Sequence, residues 1–233
     1  MSNRKDELAA NLADVNHQIQ SAAKAAGRDP AEITLIVVTK TFPASDIVLL
    51  AQLGVLEVGE NKDQEASSKF EECQQLGLRW HFIGQLQSNK VNSVARYIDV
   101  VHSVDRPKLA LALGRAAIAA NRTIMALVQV SLDSPDTPGR AGIDPGSALE
   151  LAELISNTPG LTLGGVMAVA PVDEDPAIAF ARLTPVVAQI QAKYPQATIV
   201  SAGMSADLHQ AVAAGATHLR IGSAILGSRA VVG

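Results

Sequence analysis

Residues 33–41 read Ile-Thr-Leu-Ile-Val-Val-Thr-Lys-Thr. From Ile33 to Val38 the run is almost wholly aliphatic and does not alternate, which describes a strand covered on both faces, as in a parallel sheet or a filled barrel. No G-x-G-x-x-G turn follows it, which argues against the other common parallel architecture, the doubly wound open sheet. Outward from this strand candidate, Ile33–Thr39, further candidates follow at Val55–Gly59, Trp80–Ile83, Ile98–His102, Thr123–Val130, Leu161–Ala168, Ala197–Ser201 and Thr217–Ile221. Helical stretches alternate with them at Ala44–Leu53, Asp63–Leu76, Arg106–Ala120, Ser147–Ser156, Pro176–Lys193 and Ala206–Ala214. Eight strands in this alternation predict an α/β fold, a single (β/α)8 TIM-type barrel spanning residues 1–233 as one domain. An extra N-terminal helix is predicted over Asn3–Ala26, where Leu8, Leu12, Val15 and Ile19 recur at helical spacing before Gly27.

With 233 residues, 48% of them hydrophobic, the chain can bury one large core. A net charge of −4 and the lack of a long basic stretch exclude tracking of a phosphate backbone, so nucleic acid is not an expected partner. Met1–Asp6 is polar and carries both charge signs, unlike a secretory leader, and no apolar run approaches membrane-spanning length. Cys73 is the single cysteine, which excludes an internal disulfide and a multi-cysteine metal site. The expectation is a cytoplasmic protein with no membrane contact and no metal; His17, His81, His102, His209 and His218 show no metal-ligand spacing with an acidic partner. Asp133–Asp144, rich in proline, glycine and aspartate, reads as a mobile loop after the fifth strand.

Barrel sites form at the C-terminal ends of strands, and the polar residues of this sequence gather there. Lys40 directly follows an apolar strand, where desolvation would lower its pKa and allow it to form an imine with an aldehyde. Its other reading is a lysine whose stem packs while its head reaches water. Gly203-Met204-Ser205 and Gly222-Ser223 each place a glycine and a hydroxyl at a strand-to-helix junction, on the last two strands, where many barrels bind phosphate. As simple capped turns each motif is explained separately, but not their joint position with Arg220 beside Lys40 across the barrel seam. His81, inside the third strand, reads as a core imidazole, with ring stacking as the alternative.

The motifs together resemble the pyridoxal-phosphate homeostasis proteins, single-domain relatives of the alanine racemase N-terminal barrel. They are Val38-Thr39-Lys40-Thr41, Gly59-Glu60-Asn61 with Gln64-Glu65, and Trp80-His81-Phe82-Ile83-Gly84 with Leu86-Gln87 and Asn89-Lys90. The set is completed by Gly203-Met204-Ser205 with Asp207 and by Arg220-Ile221-Gly222. The resemblance implies the cofactor pyridoxal 5′-phosphate, held on Lys40 as a covalent aldimine, with Ser205, Gly222 and Ser223 on its phosphate. Arg220 would face the pyridine nitrogen, and Asn61 would lie near the ring. It also implies a carrier that buffers the cofactor, supplies it to apo pyridoxal-phosphate enzymes and influences amino-acid balance.

The chain departs from the common pattern at Lys62-Asp63, at Ala202, at Phe42 where some members have a second lysine, and at Arg140 where lysine is frequent. An arginine opposite the ring nitrogen weakens the electron sink. A racemase also needs an acid or base on the opposite face, which alanine racemases bring from a further domain for which this chain has no expected room. Its only tyrosines, Tyr97 and Tyr194, precede the fourth and seventh strands and are expected towards the wrong end of the barrel. Enzymatic turnover is therefore not the leading expectation; the alternatives are a weak racemase or a lysine-dependent aldolase of a phosphorylated substrate.

Overall fold

The computed structural model describes residues 3–133 and 141–227. Eight parallel strands close into a barrel in chain order: β1 Thr34–Val38, β2 Glu57–Glu60, β3 Arg79–Phe82, β4 Val100–Val104, β5 Ile124–Gln129, β6 Leu161–Met167, β7 Ile199–Ser201 and β8 His218–Ile221. The seam is β1 against β8, with Thr34 opposite His218 and Val37 opposite Ile221. That pairing excludes the open doubly wound sheet. The helices are α1 Arg4–Ala25, α2 Ala44–Gln52, α3 Asp63–Cys73, α4 Val91–Val94, α5 Pro107–Ala119, α6 Ala148–Asn157, α7 Pro176–Lys193, α8 Leu208–Ala213 and α9 Ser223–Leu226.

The strand and helix periods explain the two layers of core. Outward-facing strand residues such as Val37, Val58, Trp80 and Val101 pack under the helices, which turn Ile47, Leu50, Leu109, Leu113 and Phe180 inward. Inside the barrel, Val100, Leu127, Met167 and Ile199 form a separate apolar plug. Each fully buried aliphatic side chain contributes about 1.5–3 kcal/mol of transfer free energy.

Among the predicted boundaries that move, three have a clear local reason. β4 begins at Val100 rather than Ile98, because the Ile98 amide is taken by the Val94 carbonyl in a helical turn (3.0 Å). β7 shrinks to three residues because Ala197 bonds back to Tyr194 (2.9 Å) and Thr198 to Gln196 (3.0 Å). The helix predicted from Ala206 starts at Leu208, since residues 204–207 form a turn in which Asp207 Oδ1 accepts the Met204 amide (2.5 Å). Of the loop expected after β5, residues 134–140, including Arg140, lie outside the described residues. Its far arm is sewn to the end of β5 by Ile143 N donating to Gln129 O (2.8 Å) and Ser131 N to Ile143 O (2.9 Å).

The N-terminal helix α1 begins with a capping box between Asn3 and Asp6. Its buried stripe is Leu8, Leu12, Val15 and Ile19. Arg4 donates to Leu226 O (3.0 Å) and Asn11 to Ile225 O (2.9 Å), so α1 satisfies carbonyls at the end of α9 and holds that short helix after β8. Among the described residues, no helix is long and apolar enough to cross a membrane.

Candidate functional site

At the C-terminal mouth, a cavity of about 380 Å³ opens where the barrel seam closes. Six sequence-singled residues line it together: Lys40, Met204, Ser205, Arg220, Gly222 and Ser223. Lys40 lies two residues beyond the end of β1 and is half-buried, whereas Ser205 and Ser223 are exposed at the rim. Arg220, on β8, is 5% exposed and forms the floor. Gly222 has a packing reason: a Cβ there would come within 3.0 Å of the Val38 carbonyl oxygen and 3.2 Å of the Val38 Cβ, so any larger residue would have to push the end of β8 away from β1. Opening amides of a helix lack intrahelical acceptors, so the first turn of α9 adds N–H donors to the hydroxyls of Ser205 and Ser223. An amine, a cationic floor and a rim of donors fit an anionic, phosphate-bearing aldehyde.

The other three sequence-singled residues are placed differently. Asn61 lines an adjoining cavity of about 560 Å³ with Gln85, Gln87 and Lys90. Gly203 does not line the site; at φ +95° it makes the turn, and a Cβ would meet Ala211 (2.6 Å) and Leu219 (2.7 Å). His81 is fully buried below the cavity, where its ring bonds to His102 and Glu57.

A polar clamp around the Lys40 turn was not singled out as a unit by the sequence reading. Lys69 of α3 reaches Thr39 O (2.9 Å), Glu60 Oε1 (2.8 Å) and Glu65 Oε1 (2.7 Å). Thr39 Oγ1 also donates to Glu60 (2.6 Å), and the Thr41 amide donates to Glu65. Thr41 stands at φ 69°, a left-handed conformation unfavourable for a β-branched residue, and is held there from both sides of Lys40. Burial pushes the Glu60 carboxyl above its usual range, against the bonds from Lys69 and Thr39.

Inside the barrel, burial pushes His81, His102 and His218 below the ordinary imidazole value, His218 to about 4. Above about pH 6.5 these groups are neutral both folded and unfolded. Below it the unfolded chain takes up protons that the folded chain refuses, so stability falls with falling pH by up to about 1.4 kcal/mol per pH unit for each histidine. For His218 the loss continues until about pH 4. The raised Glu60 carboxyl acts in the opposite direction, one group against three. Denaturant unfolding is expected to show lower stability at about pH 5 than at about pH 7; an equal or greater stability at the lower pH contradicts this.

The placement of Tyr97 corrects the expectation from sequence. Its hydroxyl reaches the first residue of α3, donating to Asp63 Oδ1 (3.2 Å) among helices outside the barrel. Burial and Asp63 push the phenol pKa up, so it keeps its proton. Among the described residues, no three His, Cys, Asp or Glu side chains group as a metal site.

Comparison with known proteins agrees with this fold. Residues 10–230 match the family model described as alanine racemase, N-terminal domain. The chain is 40% identical to a pyridoxal phosphate homeostasis protein of Mycobacterium bovis, covering 97% of this chain and 94% of that one. It is 39% identical to the protein of the same name in Escherichia coli K12, covering 96% and 97%. The solved structure of PipY from Synechococcus elongatus, described with PLP bound, superposes with a TM-score of 0.81 at 34% identity, over 94% of this chain and 100% of that one. The chain therefore belongs to the pyridoxal phosphate homeostasis protein family, built on the barrel of the alanine racemase N-terminal domain.

Proposed function

We propose that this chain binds pyridoxal 5′-phosphate covalently through Lys40, buffers the free cofactor in the cytoplasm and releases it to apo pyridoxal-phosphate enzymes. In this reading Lys40 Nζ is the attachment point, and Ser205, Gly222 and Ser223 hold the phosphate. Met204 covers one side, and Arg220 faces the ring nitrogen. Asn61 and His81 stand outside this contact set: Asn61 lines the other cavity, and the buried His81 ring is taken up by His102 and Glu57.

When bound, pyridoxal phosphate supplies an aldehyde and a ring whose strength as an electron sink depends on protonation of its nitrogen. Arg220 opposes that protonation. Its guanidinium is buried and stays cationic at neutral pH, although burial pushes its pKa down to about 10. It donates to Ser201 and to the Ala168 carbonyl and has no acceptor to offer a ring N–H. Tyr97, whose hydroxyl is engaged by Asp63, supplies no acid for a second face. These residues support holding the cofactor over turning over amino acids with it.

The observation that carries the release step is the openness of the rim: Ser205 and Ser223 are exposed while Lys40 is only half-buried. The test loads the protein, removes free cofactor and adds an apo pyridoxal-phosphate enzyme. The expected result is decay of the visible band of the loaded protein in step with recovery of acceptor activity. Full retention through prolonged incubation would overturn the delivery role.

A further inference from the structure

Five side chains cross the barrel interior from one mouth to the other. At the top, Arg220 Nη1 donates to Ser201 Oγ (2.6 Å), and Arg220 Nη2 donates to Ala168 O (2.9 Å). Ser201 Oγ lies 2.9 Å from His102 Nδ1, and His102 Nε2 lies 2.7 Å from His81 Nδ1. His81 Nε2 meets the Glu57 carboxylate, which opens β2 at the N-terminal mouth and is 20% exposed. Ser201, His81 and His102 are all 1% exposed or less, so water does not substitute for any of these bonds.

Donor and acceptor bookkeeping fixes the direction of this chain. Arg220 can only donate, so the Ser201 oxygen accepts from it and its own hydrogen is left to give to His102 Nδ1. His102 then carries its proton on Nε2 and donates to His81 Nδ1. His81 likewise carries its proton on Nε2 and donates to Glu57. The reverse order would require a protonated Glu57 and would leave the Ser201 hydrogen without an acceptor, at the cost of a buried unsatisfied donor. Charged and titratable groups face the pair from several elements: Glu57, Arg79, Asp99 and His218 around His81, and Arg220, Arg79 and His218 around His102. Among them the cations outnumber the carboxylates next to His102, which adds to burial in keeping that ring neutral.

We propose that Ser201, His102, His81 and Glu57 are positioning residues for Arg220, forming a one-way hydrogen-bond relay that fixes its guanidinium at the cavity floor and grounds it on a carboxylate at the opposite mouth. The role of that floor rests on the pyridoxal phosphate reading above, but the relay itself does not. It makes the electronic state of whatever faces Arg220 depend on residues that never touch it.

The first arm of the test uses wild-type protein without cofactor. Nitrogen-15 correlation spectra of the histidines are expected to show His81 and His102 as neutral Nε2–H tautomers, unchanged across about pH 6–8, where an ordinary histidine titrates. Either ring appearing as the Nδ1–H tautomer, or charged at neutral pH, overturns the proposal. In the second arm, Ser201→Ala is expected to give His102 a mixture of tautomers and, after loading with pyridoxal phosphate, to shift the visible band or its pH midpoint. Ser201→Thr should restore both signals, and Glu57→Gln should shift the band in the same direction from the far mouth. Unchanged histidine spectra in a folded Ser201→Ala protein would also overturn the relay. If wild type fails to load, the binding reading falls, while the histidine spectra still decide the relay.

Discussion

Lys69→Met is expected to destabilise the protein by about 3–5 kcal/mol, the range for breaking a buried ion pair by removing one partner. Lys69 is 6% exposed and Glu60 is fully buried, so removal of the ammonium leaves Glu60 with only the Thr39 hydroxyl as a partner on Oε1. Glu60 Oε2 already lacks a hydrogen-bond partner among the described residues. Methionine keeps the volume, which separates the lost charge from a cavity effect. Adding Glu60→Gln should recover a large part of the loss, because the orphaned charge is then gone. Equilibrium denaturation of the two variants provides the check, and a loss under about 1 kcal/mol for Lys69→Met would mean that the clamp does not hold the Lys40 turn.

Lys40→Ala is expected to abolish every borohydride-stable adduct with pyridoxal phosphate and yet leave weaker, reversible binding. The contacts at Ser205, Gly222 and Ser223 do not pass through the lysine. Hydrogen bonds to a charged phosphate are worth about 1.5–3 kcal/mol each. Ser205→Ala in the same background should therefore weaken the remaining affinity roughly 10- to 100-fold. Pyridoxal without its phosphate should not bind the Lys40→Ala protein measurably. Titration followed by fluorescence quenching or calorimetry distinguishes these cases. A wild-type affinity for pyridoxal phosphate in Lys40→Ala, or equal binding of both ligands, would place the site elsewhere.

The parts of the molecule legible in the sequence are those decided by local pattern. The run from Ile33 to Val38 could be read as a strand because both its faces are covered, and the strand-end motifs fell at one mouth because all eight strands run parallel. Boundaries failed where a few backbone bonds compete with the sheet, as Ile98 does with Val94 and Ala197 with Tyr194. The clamp was hidden because Lys69 sits in a polar helical stretch that reads as a solvated face. Only the outward turn of Glu60 at the end of β2 makes that face an interior. The relay was hidden for a different reason: His102 and Ser201 stand 99 residues apart, and nothing in either neighbourhood announces the other. His81 could be weighed only as a core imidazole or a stacking ring, because its structural partners Glu57 and His102 lie on the two neighbouring strands, 24 and 21 residues away, and only the barrel register brings them to its ring.

The central claim, that Lys40 is the covalent attachment point for pyridoxal phosphate, is tested most directly by peptide mass mapping of wild-type protein reduced with borohydride in the presence of equimolar cofactor. The account predicts a single phosphopyridoxyl mass increment on the peptide carrying Lys40. Labelling on Lys62, Lys69 or Lys90 in place of Lys40, or no labelling at all, would contradict it.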